Sequence, residues 1–325
     1  MDPHRTILDR HKKHFDQIDA ALDETLVSRV PLIEDMGAHS LLGRGKRLRP
    51  LLFVLSCHLF GSQRKDIYRL ATVFEYIHAA SLLHDDVLDN ADTRRKKPTA
   101  NNLWGNHAAV LQGDFLYLKS SSLAIEGKSL PFLRRLTDAT TRMTEGQILE
   151  LIRTHDWNIS KEEYFEIITA KTAVLLSAAC ACGAVIAGVE KRAVASLGEF
   201  GLNLGIAFQL VDDLLDYSSS EQIMGKPVGK DLREGKITLP LIYTLPQMNR
   251  SERKRVEALF KSRRAGDADY RDLVECVRGN GVLDRIRSEA QSYVDRAKES
   301  LKAFPHSPGK RSLLEIGQYV IERKY

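Results

Sequence analysis

The pattern Asp-Asp-x-x-Asp occurs twice in this chain. Asp85, Asp86 and Asp89 lie in SLLHDDVLDN, and Asp212, Asp213 and Asp216 lie in FQLVDDLLDY. Both copies follow apolar residues directly, where a bare carboxylate is costly unless a cation neutralises it. A separation of four stacks Asp85 with Asp89, and Asp212 with Asp216, on one helix face. A pair of solvated acidic helix ends is the plain alternative. The same spacing, twice, after apolar runs favours Mg²⁺ held by carboxylates, with an anionic substrate bridging the metals. The nearby candidate ligands are oxygens apart from His84, which is read as packing or as support behind the ligands.

Such motifs need helices, and helical periodicity runs through almost the whole chain, with almost no strand alternation. An amphipathic segment spans about Arg5 to Val30 and stops at Pro31. A second helix starts near Pro50 and ends at Gly61, and a third runs from about Asp66 through the first motif. The stretch ADTRRKKPTANN reads as a loop. Further helices fit 106–126, 130–154, 161–188, 191–218, 238–245 and 251–263, with an amphipathic stretch over 267–302. Residues 218–238, rich in Gly and Lys, read as a loop or lid. With 43% hydrophobic residues in 325, a large core can be buried. No linker, low-complexity run or repeat splits the chain. The expected architecture is all-α, one domain over 1–325, a single large helical bundle with a central cavity.

Composition narrows the functional class. Cys57, Cys180, Cys182 and Cys276 match no zinc, haem or disulfide pattern, which suits reduced thiols in a cytoplasmic protein. The opening MDPHRTILDRHKKHFDQ is charged from the start and is not read as a secretory leader. Residues 173–189 are uncharged but dominated by Ala, Gly, Cys and Ser, so they read as a packed helix rather than a membrane span. The net charge of +5 comes with no nucleic-acid motif and no basic run interleaved with aromatics. A basic cleft for anions is the sharper reading.

Cations follow each acidic cluster. GRGKRLRP places Lys46, Arg47 and Arg49 in a Gly-containing loop before a helix, a setting suited to a diphosphate. Arg94 and Arg95 lie beyond the first motif, and Lys226, Lys230 and Lys236 beyond the second. These residues, with GDFLY, Lys171-Thr172, Phe208-Gln209 and GKPVGKD, resemble the trans-isoprenyl diphosphate synthases of the polyprenyl synthetase family, most closely octaprenyl-type members. The resemblance covers about 40–245, and its motifs are specific in order and spacing.

The resemblance implies an isoprenoid-synthase fold, a prenyltransferase activity and a homodimer. It implies that Lys46, Arg49, His78 and Arg95 hold isopentenyl diphosphate. It implies that Arg94, Lys171, Thr172, Gln209 and Lys226, with Lys236 nearby, hold the allylic diphosphate. Asp85 and Asp89 match the ligands of two Mg²⁺ ions. Asp212, supported by Asp216, matches the site of a third, while Asp86 and Asp213 match supporting positions. The allylic carbon–oxygen bond would ionise, with metal, Arg94, Lys171 and Lys226 stabilising the departing charge. Isopentenyl diphosphate would then attack through its double bond, and the released diphosphate can take the proton.

Product length turns on the stripe beneath the first motif. Ala80 and Ser81, one turn back, are small, and Ile77 and Phe74 are the next obstacles at about 5.4 Å per turn. The expectation is an all-trans product of six to ten isoprene units, centred on eight, delivered to membrane enzymes. A short-chain farnesyl or geranylgeranyl synthase is the alternative. A terpene cyclase would need only one diphosphate site. A silent partner subunit would have lost motif residues, and none is missing here. Arg44 separates Gly43 from Gly45 where many relatives carry adjacent glycines, and Arg323 and Lys324 receive no role.

Overall fold

The structure is a computed structural model that describes residues 7, 9–42, 45–94, 97–218, 229–262 and 266–323. The regular elements among those residues are helices apart from one two-stranded ribbon. The expected opening segment holds α1 (Lys12–Thr25), and a further helix, α2 (Pro31–Ser40), begins at the proline that bounds it. Pro31 starts α2 rather than only ending what precedes it, because its fixed φ suits a first helical position that needs no N–H. Pro50 sits likewise in the first turn of α3 (Leu48–Leu59), and α4 (Ile67–Leu88) carries the first acidic motif to its C-terminal cap, Asp89.

The stretch read as a loop contains the ribbon, β1 (Thr93–Arg94) and β2 (Lys97–Pro98), paired antiparallel with Thr93 opposite Pro98. After it come α5 (Ala100–Trp104), α6 (Asn106–Glu126) and α7 (Leu130–Arg153). The helix expected over 161–188 is α8 (Lys161–Ile168), a π turn (Thr169–Ala173) and α9 (Val174–Ile186). Then follow α10 (Lys191–Ser218), which ends in the second motif, the short α11 (Lys230–Arg233) and α12 (Leu239–Thr244). The last helices are α13 (Arg250–Ser262), α14 (Asp267–Gly279), α15 (Val282–Ser300) and α16 (Pro308–Glu322). The single stretch expected over 267–302 breaks at Gly281, whose φ of +66° is left-handed and suits glycine.

The chain divides into two compact units, Met1–Thr140 with Leu175–Gly201 and Ser300–Ile316, and Thr141–Val174 with Leu202–Glu299 and Gly317–Tyr325. In the first unit α4 packs along α6 and α3. Its core holds a cluster of three buried aromatic rings, Phe53, Phe74 and Phe132, with centroids 5.4 to 6.2 Å apart. In the second unit Leu210, Val211, Leu214 and Tyr217 of α10 are buried with Leu239 and Leu241 of α12, Phe260 of α13, Val277 of α14 and Ile286 of α15. Burial at this spacing fixes which face of α10 turns inward, and so where its carboxylates point.

Two helical runs, Lys161–Ile186 and Lys191–Ser218, are long and apolar enough to cross a membrane by length and composition. The first is the helix expected over 161–188, kept continuous through the π turn. Of their most apolar windows, 72% and 56% of residues are buried inside the protein.

Candidate active site

In the first unit the end of α4 displays the first motif. Asp86 is buried, and its Oδ1 accepts from Arg94 at 2.8 Å (Nε) and 2.7 Å (Nη2). The β1–β2 ribbon folds Arg94 back onto the helix that precedes it, and Ala91 N–H bonds the Asp86 carbonyl at 2.9 Å. Asp85 and Asp89 are partly exposed on the same helix face. His84 bonds the Val110 carbonyl at 3.2 Å, and Gly113 makes room for its ring, since a Cβ there would lie 2.3 Å from Nε2. His84 is thus a packing residue between α4 and α6.

Lys46, Arg49 and His78 are partly exposed, while the neighbouring Arg47 is not available for a ligand. Its buried guanidinium bonds Glu75 at 2.7 Å, Asp19 at 2.9 Å and the Leu41 carbonyl at 2.5 Å. The turn before α3 adopts φ +45° at Arg47, which sends this side chain inward. Of the three cations first grouped in that loop, Arg47 therefore joins helices instead of facing solvent. Further down α4, Ala80, Ile77 and Phe74 are buried and Ser81 is half-buried, its hydroxyl donating to the His78 carbonyl at 2.9 Å. Arg95 and Lys226 lie outside the described residues.

In the second unit a cavity of about 170 Å³ is lined by Lys171, Thr172, Gln209, Asp213 and Lys236 among the residues singled out from sequence. Glu150, Arg153 and Tyr164 line it as well without belonging to any motif, and so does Asp231, the last residue of GKPVGKD, which received no role. One hydrogen-bond chain orders its floor. Thr172 donates to Gln209 Oε1 at 3.1 Å, Gln209 Nε2 donates to Asp213 Oδ1 at 2.8 Å, and the Tyr164 hydroxyl donates to Asp213 Oδ2 at 2.5 Å. Both Asp213 oxygens are therefore engaged by protein, and the Thr172 oxygen is left presenting lone pairs. Lys171 is held by Glu150 at 2.6 Å, and Lys236 by Glu234 at 2.8 Å.

Asp216 is also occupied. Its two oxygens accept from the Lys230 and Asp231 amides, each at 3.2 Å, which ties the start of α11 to α10. Asp212 is the motif residue turned most towards solvent, and Arg323 Nη2 lies 2.7 Å from its Oδ1. The electrostatics of this group are strained. Burial pushes the Asp213 carboxyl up to about 7, and Asp212 and Asp216 push the same way against its hydrogen bonds. Asp216 is raised by burial, and Asp231 by burial and by the charges of Asp216 and Asp213.

Burial and mutual repulsion favour the protonated form of these carboxyls, and a cation beside them would favour the charged form. Among the described residues no three His, Cys, Asp or Glu side chains converge into a ready-made ion cage. Mg²⁺ does not need one, because it keeps several waters and takes one or two carboxylates together with phosphate oxygens. The all-oxygen donor set fits that ion and does not fit a soft metal.

Comparison with known proteins agrees with the helical fold. Residues 30–277 match the family model described as polyprenyl synthetase. Octaprenyl diphosphate synthase of Escherichia coli (strain K12) is 35% identical, over 94% of each chain. Geranylgeranyl diphosphate synthase of Methanosarcina mazei is 34% identical, over 98% of this chain and 99% of that one. The crystal structure of a polyprenyl synthase from Caulobacter crescentus CB15, complexed with calcium and isoprenyl diphosphate, superposes with a TM-score of 0.94 at 37% identity, covering 99% and 98% of the two chains. The chain belongs to the polyprenyl synthetase family and is a prenyltransferase with the all-α isoprenoid-synthase fold. Enzymes of this family depend on Mg²⁺ and use isopentenyl diphosphate and an allylic diphosphate.

Proposed function

We propose that this prenyltransferase is an all-trans, long-chain polyprenyl diphosphate synthase whose product has six to ten isoprene units, with eight the central value. The observation that carries the length is the pair of small residues, Ala80 and Ser81, one turn behind Asp85. Below them Ile77 is buried, and Phe74 is committed to packing against Phe53 and Phe132. The octaprenyl relative supports this reading, and the geranylgeranyl relative at similar identity keeps a four-unit product as the alternative outcome.

We read the whole chain as one catalytic domain, since the family match runs through both compact units. In the second unit Lys171 and Lys236 bring positive charge to the cavity wall for a diphosphate, with Lys226 assigned to it by resemblance. Thr172 and Gln209, locked in one direction by Asp213 and Tyr164, offer oxygen dipoles that favour an allylic cation without attacking it. In the first unit Lys46, Arg49 and His78, with Arg95 by resemblance, bind isopentenyl diphosphate, and Arg94 joins the allylic diphosphate ligands. Asp85 and Asp89 would hold two Mg²⁺ ions and Asp212 a third. Asp86, Asp213 and Asp216 serve by orienting their neighbours. When bound, Mg²⁺ supplies charge neutralisation for the leaving diphosphate. We assign the chain to the cytoplasm, with a lipid product passed on to membrane enzymes. Its most apolar helical windows are mostly buried within the protein and rich in small residues.

Incubation with farnesyl and isopentenyl diphosphates, followed by chromatography of the products, tests the length. Wild type should give six to ten units, and Ala80→Phe should shorten the product while the first condensation persists. A wild-type product ending at three or four units would sink the long-chain reading.

A further inference from the structure

Arg323 has no role in the motif pattern, and its surroundings in the second unit supply one. The last turn of α16 carries the backbone through it, with its amide on the Tyr319 carbonyl at 3.2 Å. The guanidinium stacks 3.7 Å from the centre of the Phe208 ring, donates to the Phe208 carbonyl at 2.5 Å and meets Asp212 Oδ1 at 2.7 Å. Its side chain is only 3% exposed, against 41% for Asp212. Its buried Nε has no hydrogen-bond partner among the described residues. A guanidinium taken out of water needs an anion, and Asp212 is the anion it touches.

Asp212 is also the carboxylate of the second motif that is not already spent on Tyr164, Gln209 or the α11 amides. We propose that Arg323 is a built-in counter-cation for Asp212, a positioning residue that competes with the divalent ion for this carboxylate and so sets the ion affinity of the second motif. The inference rests on the reading of that motif as a cation site. A competitor is favoured over a pure organiser by charge. A dication held by Asp212 would stand beside the guanidinium that already contacts this carboxylate, and like charges repel strongly in a partly desolvated site. A short Asp side chain has little rotamer freedom to save in return.

The test uses Mn²⁺ as the probe, titrated by loss of its free electron paramagnetic resonance signal. The Asp85→Asn/Asp89→Asn enzyme is the parent, so that binding reports the second motif. Adding Arg323→Gln should tighten Mn²⁺ binding roughly ten-fold, as expected when one partly buried charged contact no longer has to be given up. Arg323→Lys, which keeps the charge, should stay near the parent. Without metal, Arg323→Gln should also lower the thermal midpoint, and saturating Mn²⁺ should narrow that gap. Should the Gln variant not fold, Phe208→Leu, which removes the ring beneath the guanidinium, should still tighten binding roughly three-fold. Unchanged or weaker affinity in these variants overturns the inference and leaves the catalytic reading intact. Absence of saturable Mn²⁺ binding in the parent removes the second motif as a cation site, and the inference with it.

Discussion

His14 sits among other ionisable rings, and that placement makes stability depend on pH. Its ring centroid is 5.3 Å from that of His58 and 6.0 Å from that of His11, and its Nδ1 lies 2.8 Å from the Tyr68 hydroxyl. Burial, followed by the charges of His58, His11 and Lys13, lowers His14 to about 4. Burial also lowers His11 and His58. Arg10 adds to the shift of His11, and Glu315, itself paired with Arg10 at 2.6 Å, opposes it. Each folded-state value lies below the unfolded value of about 6.5, so the unfolded chain binds more protons. This contribution to stability is complete above about pH 6.5 and is lost as pH falls from there towards about 4. The urea midpoint should therefore drop between pH 7 and pH 5, and in His14→Gln the drop should be smaller by roughly a third. An equal drop in the variant would remove His14 as a source of it.

At the scale of elements, the π turn between α8 and α9 is what aims Lys171 and Thr172 into the cavity. A π turn inserts one residue into an α-helix and is often found at functional sites. Here glycines grip it from two sides. A Cβ on Gly146 of α7 would lie 2.6 Å from the Lys171 amide nitrogen, and one on Gly205 of α10 would lie 2.5 Å from the Ala173 Cα. Gly146→Ala should raise helix propensity yet push the turn aside. Turnover should fall about ten-fold or more, since misplacing a substrate-binding group by ~1 Å can cost 100-fold. Circular dichroism should show the helical content kept. A turnover within two-fold of wild type would mean the turn tolerates the displacement. This turn also marks where sequence reading stopped. The apolar period that gave the all-α class and the bounds of α6 and α10 is unchanged in kind by one inserted residue, so it hid the π turn. The two aspartate motifs and Lys171-Thr172 were legible because each is local, with its spacing written in neighbouring letters. Tyr164 and Arg323 were not, because their partners lie 49 and 115 positions away, and only packing brings them together. Arg47 looked like its neighbours until a left-handed backbone turned it inward.

For the whole molecule, one face of α6 has no cover within its own unit. Leu111, Leu118 and Ile125 are 67%, 65% and 61% exposed at seven-residue spacing, with Val110 and Tyr117 beside them. Scattered exposed leucines are ordinary, but a stripe repeating every two turns is the pattern that packs against another helix. The occupant that best fits is α6 of a second copy. A two-fold axis sets the same stripe against itself, and the homodimer implied by the family resemblance calls for such a surface. The flanking positions Asp114, Ser121 and Ser122 are polar, as the rim of an interface should be. Light scattering coupled to gel filtration should give a dimer for the wild type. Leu111→Glu/Leu118→Glu should give a monomer of unchanged helical content, because two carboxylates from each copy would be buried without partners. A wild-type monomer at micromolar concentration, or a double variant that still elutes as a dimer, would show that this face is not where two copies meet.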